Sequence, residues 1–526
     1  MDDFTWTAEH IRQAEQPLLE RQTEPDQLMR CAAAAVAQAA RDMLDARPQD
    51  GRKVLVVAGP GGNGGDGLYA GAQLAGDYAV EALLTAGHAH ERAVDAFQRA
   101  GGTVLDALPD APWGYTLAID AITGIGGTAG LRVELSEVVA LLDFPQLRVL
   151  SVDVPSGIEA DTGDGATLHV TADATVTFGG WRRAHALNPA CGTQLMADIA
   201  VGQDRLSQSL EKLIEDGQMG ETLLLNATRA VPPAGDWGPP LEWMRPARVY
   251  SVAPRPADDK YSGGVVGIRA GSEDYPGAAL LAVAGALYAT PSMVRYVGPQ
   301  AVEVVRAHPE VVVKQRLEEA GRVQAWVFGP GAGTDEAAAR ELAWVLDQKV
   351  PVLIDADGIT LMANHPELLA QAATRKLPTV LTPHDGEFSR LRDAADAPAS
   401  DRLTETLELS RQLRCTILRK GRCTVIATPW NTDTAYAIDA GGSWAATPGS
   451  GDVLSGLAGA RMAHAAARLG DPEFLATEID EALNHAANIH ALAAALAAET
   501  PFGAAPAPAS RIASFIREAT AALGED

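Results

Sequence analysis

The sequence predicts an α/β protein made of two successive α/β units, and three observations carry that prediction. Short Val/Ile/Leu-rich runs of strand length alternate with Ala- and Leu-rich helical periodicities in both halves of the 526-residue chain, which gives a mainly parallel sheet with helices on its faces. The strand-like runs end in Asp- and Gly-containing loops. A Pro/Gly-rich segment, PPAGDWGPP, interrupts the alternation near mid-chain and suits a linker. At about 150 residues per domain the length allows two to four units. The boundary is placed near residue 235, giving expected domains 1–234 and 235–526.

Composition bounds the function. Hydrophobic residues make up 47% of the chain and charged residues 21%, enough apolar material for substantial cores. Lys plus Arg number 42 against 68 Asp plus Glu, a formal charge of −26. That charge, with no Lys/Arg-rich block, disfavours nucleic acid and anionic membranes as partners. It does not exclude a small anion, which answers to local amides, cations and metal ions. The start, MDDFTWTAEH, lacks the basic-then-apolar order of a secretory signal, and the longest weakly apolar run, Gly277 to Val294, is Ala/Gly-rich and contains Pro291; no membrane span is expected. Cys31, Cys191, Cys415 and Cys423 form no C-x-x-C pair and have no His at zinc spacing, so a reducing cytoplasm is the expected setting.

Taken in order, an Ala-rich helical pattern covers Leu28 to Leu44, and KVLVVA (Lys53 to Ala58) reads as a buried strand running into GPGGNGGDG. A helical pattern resumes over Leu68 to Leu74. Strand-like runs follow at Leu117 to Ile119 and Val149 to Val152. Asn63, Asp66, Asp120 and Asp153 then fall past the carboxyl ends of three strands, where ligands of open α/β sheets gather. Past the linker come VVGIRA, AWVFGPGAG, VPVLIDADG, TVLTPHDGE and CTILRKGRCTVIA. An Ala-rich helical region runs from Val453 past Ala498, and FGAAPAPAS reads as a loop before a final helix. No short-period repeat is visible.

Gly59, Gly61 and Gly64 satisfy G-x-G-x-x-G between a strand and a helix, a dinucleotide-binding pattern. That pattern also wants an acidic residue after the next strand, where Thr85, Ala86, Gly87 and His88 stand instead. A tight strand-to-helix turn is the competing explanation, against which Asn63 and Asp66 favour a ligand loop. AIDAITGIGGTAG (118–130) and SVDVPSGIEADTG (151–163) repeat the strand, Asp, glycine-loop logic. Asn63, Asp120 and Ser156 are hard oxygen donors able to hold a monovalent or divalent cation. Equally, Ser156 caps a turn and Asn63 tolerates an unusual backbone angle.

The chain holds no G-x-x-x-x-G-K-[ST], which excludes a P-loop. ATPGSGDVLSG (446–456) instead places small residues before an apolar helix, whose free N-terminal amides suit a phosphate or developing anion. Asp452 falls in the first turn, where a dipole partner is the plainer role. TPHDGE carries His384, read as a hydrogen-bonding substrate contact rather than a zinc ligand. Lys420 and Gly421 suit a nucleotide phosphate or an ordinary hairpin turn.

GPGGNGGDG, DAITGIG and VDVPSG, in this order, resemble the N-terminal domain of the NAD(P)H-hydrate epimerases, a Rossmann-like three-layer fold. The resemblance implies K⁺ ligands at Asn63, Asp120 and Ser156. It implies contacts to the hydrated nicotinamide from Gly62, Asn63, Gly64, Gly65 and Asp66, and from Gly124, Ile125, Gly126, Gly127, Thr128, Ala129 and Gly130. Asp153 is the implied substrate-contacting carboxylate and our choice for acid/base work, with a structural Asp at a strand end as the competing role. The family usually has two consecutive Asn where this chain has Gly62–Asn63, and GIGGTAG is unusually glycine-rich.

GSEDYPGA, GPGAG, DADG, TPHDGE, RKG and GSGD together resemble the ribokinase-like ADP-dependent NAD(P)H-hydrate dehydratases. This resemblance implies nicotinamide-hydrate contacts at Ala278, Gly333, His384 and Asp452. It implies AMP-moiety contacts at Lys420, Gly421, Arg422, Cys423, Thr424 and Gly451, with ADP as co-substrate and Mg²⁺ on the nucleotide. Pro448 stands where many relatives have Gly. The expected function is repair of hydrated NADH and NADPH (NADHX and NADPHX): R and S forms are exchanged in the first half, and Asp452 starts an ADP-dependent dehydration of the S form in the second. The expected partners are these small molecules and further copies of the chain in a homo-oligomer. The rival is a ribokinase-like small-molecule kinase with a non-catalytic nucleotide-binding N-terminal domain.

Overall fold

The computed structural model describes residues 4–46, 52–109, 112–218, 223–234, 236–290, 292–431, 433–468 and 472–524. Pro291 and residue 235, the predicted cut, lie outside them. The chain divides into two compact units, Met1–Ala227 with Pro232–Arg245, and Thr228–Val231 with Pro246–Asp526. The passage is thus a double crossing, where the sequence predicts one cut. Pairing explains it: Ala230 N donates to Asp439 O of the second unit, whereas Leu241–Trp243 pairs antiparallel with Thr193–Ala197 of the first.

In the first unit an eight-stranded sheet runs Leu241–Trp243, Thr193–Ala197, Ala174–Phe178, Arg148–Val152, Leu117–Ala121, Lys53–Ala58, Ala79–Leu84, Thr103–Leu105. All its pairings but the first are parallel. Alternation along Lys53–Ala58 sends Val54 and Val56 into one core with Ala33, Val36 and Ala40 of the helix Gln27–Asp45. Leu55 and Val57 enter a second core with Val138, Val139 and Leu142. Two cores on opposite faces of one sheet make three layers, as burial of both faces of a parallel sheet requires. The strand predicted at Leu117 to Ile119 extends to Ala121, so Asp120 lies inside the sheet and not in the loop after it. The helix predicted from Leu68 begins at Gly62. Gly59 and Gly64 explain this early start: a Cβ on either would sit 2.0 Å from the carbonyl oxygen of Ile122 or of Gly59. The chain turns from strand to helix with no spare residue.

The sheet of the second unit, whose first strand belongs to that unit only from Thr228, has ten strands in the order Leu224–Arg229, Thr434–Asp439, Cys423–Ala427, Thr416–Arg419, Thr379–Leu381, Val352–Ile354, Ala325–Phe328, Val266–Arg269, Val294–Val297, Val312–Lys314. From Thr416–Arg419 to Val312–Lys314 the strands are parallel. A meander, Thr416–Arg419, Cys423–Ala427, Thr434–Asp439, closes one side. The Ala-rich region forms two helices, Ser450–Arg468 and Pro472–Ala498, which share one core with Pro276–Leu287. The final helix is two short ones, Ala509–Ser514 and Ile516–Leu523. Phe328, Ile354, Leu381 and Phe388 fill the core on the other face. Helices Pro276–Leu287 and Ser450–Arg468 meet backbone to backbone. A Cβ on Gly285 would stand 2.1 Å from Val453 O, and one on Gly456 1.9 Å from Ala282 O. Among the described residues no helix is long and apolar enough to cross a membrane.

Candidate active sites

In the first unit three neighbouring strands deliver the predicted residues to the carboxyl edge of the sheet. Asp120 is fully buried and accepts from Ser156 Oγ (2.6 Å), Ser156 N (2.9 Å) and Ser151 Oγ (2.8 Å). Its donors are neutral, and burial raises its pKa. Ser156 Oγ also takes the N–H of Thr123 at 3.0 Å, so it fastens the loop that leads to Gly124. Asn63 projects from the first turn of the helix Gly62–Leu74 with its Nδ2 buried and unpartnered among the described residues. Its Oδ1 would lie 2.8 Å from a Cβ on Gly124, and Asp153 Oδ2 3.3 Å from the same point. Gly124 thereby admits Asn63 and Asp153 to one place. The unusual backbone angle falls on Asp153 (φ +67°) and not on Asn63, the kind of local strain that recurs at functional sites.

Asp153 is held by donors on every side. Arg182 approaches Oδ1 at 2.9 Å, Thr177 Oγ1 donates to Oδ1 at 2.9 Å and Ile125 N donates to Oδ2 at 3.1 Å. Behind it, His185 Nε2 bonds the Asp153 carbonyl at 2.7 Å; burial pushes this imidazole down to about 4, so it is neutral and donates. Asp153 opens onto a cavity of about 780 Å³ that Gly62, Asn63, Asp66, Gly124–Thr128 and Gly130 also line. Gly64, Gly65 and Ala129 are absent from that lining, and Asp120 and Ser156 lie beneath it. Among the cavity residues that no sequence motif marks are Glu15 and Arg182. Glu15 comes from the helix Ala8–Glu20 and Arg182 from a two-residue strand, and neither belongs to a glycine motif. Arg182 stands between Trp181 and Arg183, and no local pattern marks it.

In the second unit Asp452 occupies the first turn of Ser450–Arg468 and accepts no hydrogen bond among the described residues. Burial, then the nearby Asp355 carboxylate, push its pKa up to about 7, with Lys420 opposing and Asp357 and Glu387 adding. Ser450 N and Val453 N donate to Thr447 O and Gly449 O, which leaves the amides of Gly451 and Asp452 as the open pair at the helix start. Lys420 Nζ pairs with the buried Asp355 at 2.6 Å and lies 4.0 Å from Glu387. Burial alone would lower the Lys420 pKa, but Asp355, Glu387 and Asp452 carry it above its ordinary value. Ser455 Oγ donates to the other Asp355 oxygen at 2.6 Å. A Cβ on Gly451 would stand 3.2 Å from Lys420 Nζ, so Gly451 lets the helix start close on the ammonium. Asp355 and Asp357 of DADG and Glu387 of TPHDGE join this cluster although their motifs alone assign them no role.

A cavity of about 630 Å³ takes in His384, Lys420, Gly421, Arg422, Thr424, Ser450 and Gly451. Cys423, predicted beside them, is buried in its strand and turned away. The segment between Arg419 and Cys423 is a hairpin turn, as the plainer explanation of Lys420–Gly421 holds, yet Lys420 is paired and not solvated. His384 caps the helix Asp385–Ala394: its Nδ1 accepts from Gly386 N at 3.0 Å, which places the proton on Nε2. Ala278 and Gly333 lie apart from this cavity. Gly331 packs against Ala278, where an added Cβ would be 2.8 Å from Ala278 Cβ, and Gly333 N donates to Asp357 at 2.9 Å. Asp357 therefore links Gly333 to the charges around Asp452.

Two α/β units with a carboxylate at the working edge of each parallel sheet, one beside a buried arginine and one at an open helix start, define a two-site enzyme. Residues 25–184 match the family described as YjeF-related protein N-terminus, and residues 266–515 match NAD(P)H-hydrate dehydratase. The chain is 42% identical to the bifunctional NAD(P)H-hydrate repair enzyme Nnr of Corynebacterium glutamicum, over 98% of both chains. It is 42% identical to the enzyme of that name from Mycobacterium tuberculosis, over 87% of this chain and 89% of the other. A solved ADP/ATP-dependent NAD(P)H-hydrate dehydratase from Bacillus subtilis, co-crystallised with ATP/Mg²⁺, shares 25% identity over 52% of this chain and 95% of its own, with a TM-score of 0.42. The chain belongs to the bifunctional NAD(P)H-hydrate repair enzymes.

Proposed function

We propose that the first unit exchanges the R and S forms of hydrated NADH and NADPH at Asp153, and that the second dehydrates the S form at Asp452 while ADP becomes AMP and phosphate. The observation that carries this is the environment of Asp452. A carboxylate with a pKa of about 7, accepting no hydrogen bond among the described residues and set beside two open helix-terminal amides, is matched to removing a proton at neutral pH.

In the second unit Asp452 takes the proton of the C6 hydroxyl as that oxygen attacks the β-phosphorus of ADP. The amides of Gly451 and Asp452 receive the charge developing on the phosphoryl oxygens, and AMP departs. The phosphate ester then eliminates, restoring the nicotinamide ring. Lys420 and the Nε2–H of His384 supply the positive and donor sides of the cavity. Asp355, Asp357, Glu387 and Asp452 outnumber the one lysine among them, and their hard oxygens suit Mg²⁺ accompanying the nucleotide. When bound, Mg²⁺ would neutralise phosphate charge there.

In the first unit the donors around Asp153 orient its carboxylate toward the cavity. Asp120, Ser156 and Asn63 would hold K⁺. A buried carboxylate bonded only to neutral donors suits a weakly hydrated monovalent cation that offsets the buried charge, and the Asn63 side chain could offer such an ion its amide oxygen. Its contribution there would be electrostatic.

The test is ADP-dependent recovery of nicotinamide absorbance from S-hydrate by Asp452→Asn protein. Loss of turnover with R/S exchange retained supports the assignment, and near-normal turnover rejects it.

A further inference from the structure

Asp66 contrasts with Asp153 inside the first cavity. It sits in the opening turns of Gly62–Leu74 and lines the same cavity as Asp153, Glu15 and Arg182. Asp153 is saturated by Arg182, Thr177 and Ile125. Asp66 has no hydrogen-bond or ion-pair partner among the described residues. Its place is fixed by the backbone. A Cβ on Gly64 would be 2.0 Å from Gly59 O, and one on Gly67 2.5 Å from Ala121 Cβ, so the turn carrying Asp66 is clamped onto the sheet and cannot swing away.

The chemistry of the substrate asks for a second proton-transfer group. C6 of the hydrated ring bears a hydroxyl and is bonded to N1, so inversion can proceed by losing that hydroxyl as water and adding water on the other face. One group must give a proton to the departing oxygen while another takes one from the incoming water. We propose that Asp66 is the acid of this pair and Asp153 the base for conversion in one direction, with the roles exchanged in the other; this rests on the epimerase assignment above.

In the forward step the C6–O bond breaks, the Asp66 proton passes to the departing oxygen and the N1 lone pair forms a C6–N1 double bond. Water then bonds to C6 from the opposite face, the double-bond pair returns to N1, and the water proton passes to Asp153. One water leaves, one enters, and one proton moves between the carboxyls; nothing is oxidised or reduced. The environments favour this division. Burial first, then the Asp153 and Glu15 carboxylates, push Asp66 well above the usual carboxylate range, whereas Arg182 faces Asp153 and not Asp66. A carboxyl raised in this way is suited to the acid role.

The experiment uses the full chain, R-hydrate and no ADP, with R/S exchange resolved chromatographically above the uncatalysed rate. Asp66→Asn is expected to lose about 100-fold or more in kcat, and Asp66→Glu to recover part of it. Wild-type kcat/KM is expected to fall as pH rises and the acid is lost, and that fall is expected to vanish in Asp66→Asn. In ¹⁸O-water, each enzymatic inversion is expected to place one solvent oxygen at C6. Retention of the original oxygen overturns the proposal, as does a full rate in Asp66→Asn, or an alkaline limb that Glu15→Gln abolishes and Asp66→Asn leaves intact. If the wild type does not accelerate R/S exchange at all, the epimerase assignment falls and takes this inference with it. A wild type that does so with an indifferent Asp66→Asn overturns the inference alone.

Discussion

Asp153 and Asp452 are the same residue at the same kind of place, the carboxyl edge of a parallel sheet, and their surroundings are opposite. Asp153 meets a buried guanidinium and two donors, in a left-handed backbone conformation. Asp452 meets other carboxylates and accepts no hydrogen bond among the described residues, and its pKa rises to about 7. The difference teaches that neighbours, more than residue type, set the chemistry. A carboxylate surrounded by donors is positioned to contact a ligand, and one set among carboxylates is poised to pick up a proton near neutral pH.

Four substitutions or titrations would break or sharpen that contrast. The largest effect is expected for Asp452→Asn, which should lower ADP-dependent dehydration of the S-hydrate by about 10²–10⁴-fold, the usual worth of a general base, as read by absorbance recovery. Asp153→Asn comes next, with about 100-fold slower R/S exchange and dehydration of pure S-hydrate retained; equal losses in both assays would erase the distinction between the sites. Gly456→Ala forces a Cβ to 1.9 Å from Ala282 O and should destabilise the second unit by about 1–3 kcal/mol, seen as a lower denaturation midpoint with R/S exchange preserved below it. The smallest effect is in the pH profile. As the proposed base Asp452 would act in its ionised form, so kcat/KM for dehydration should be flat above about pH 7 and fall about tenfold per pH unit below it. A profile flat to pH 5 would show that Asp452 is not the base.

Much of this was legible in the chain. Asn63, Asp153 and Lys420 announce themselves because each follows a strand-like run near glycine, Asp120 because it closes such a run, and Asp452 because small residues precede it at the start of an apolar helix; the structure brings the first two and Asp120 to one edge, and Lys420 and Asp452 to another. The alternation of strands and helices also predicts both sheets. What the sequence hides is whatever depends on distant segments. Glu15 and Arg182 reach the first cavity from elements without glycine loops, so no local pattern marks them. The pairing of Lys420 with Asp355 joins residues 65 positions apart, and only the sheet order makes them neighbours. The return of Leu241–Trp243 to the first sheet is equally invisible, because a three-residue edge strand is too short to show periodicity.

The central claim is that one chain carries two different carboxylate sites acting in series. It is tested most directly by supplying pure R-hydrate with ADP and Mg²⁺ and following nicotinamide absorbance beside R/S composition. Full recovery is expected from the wild type. It predicts accumulation of S-hydrate without recovery by Asp452→Asn, and recovery limited to the uncatalysed exchange rate by Asp153→Asn. Rapid recovery from R-hydrate by Asp153→Asn protein, or by Asp452→Asn protein, would contradict it.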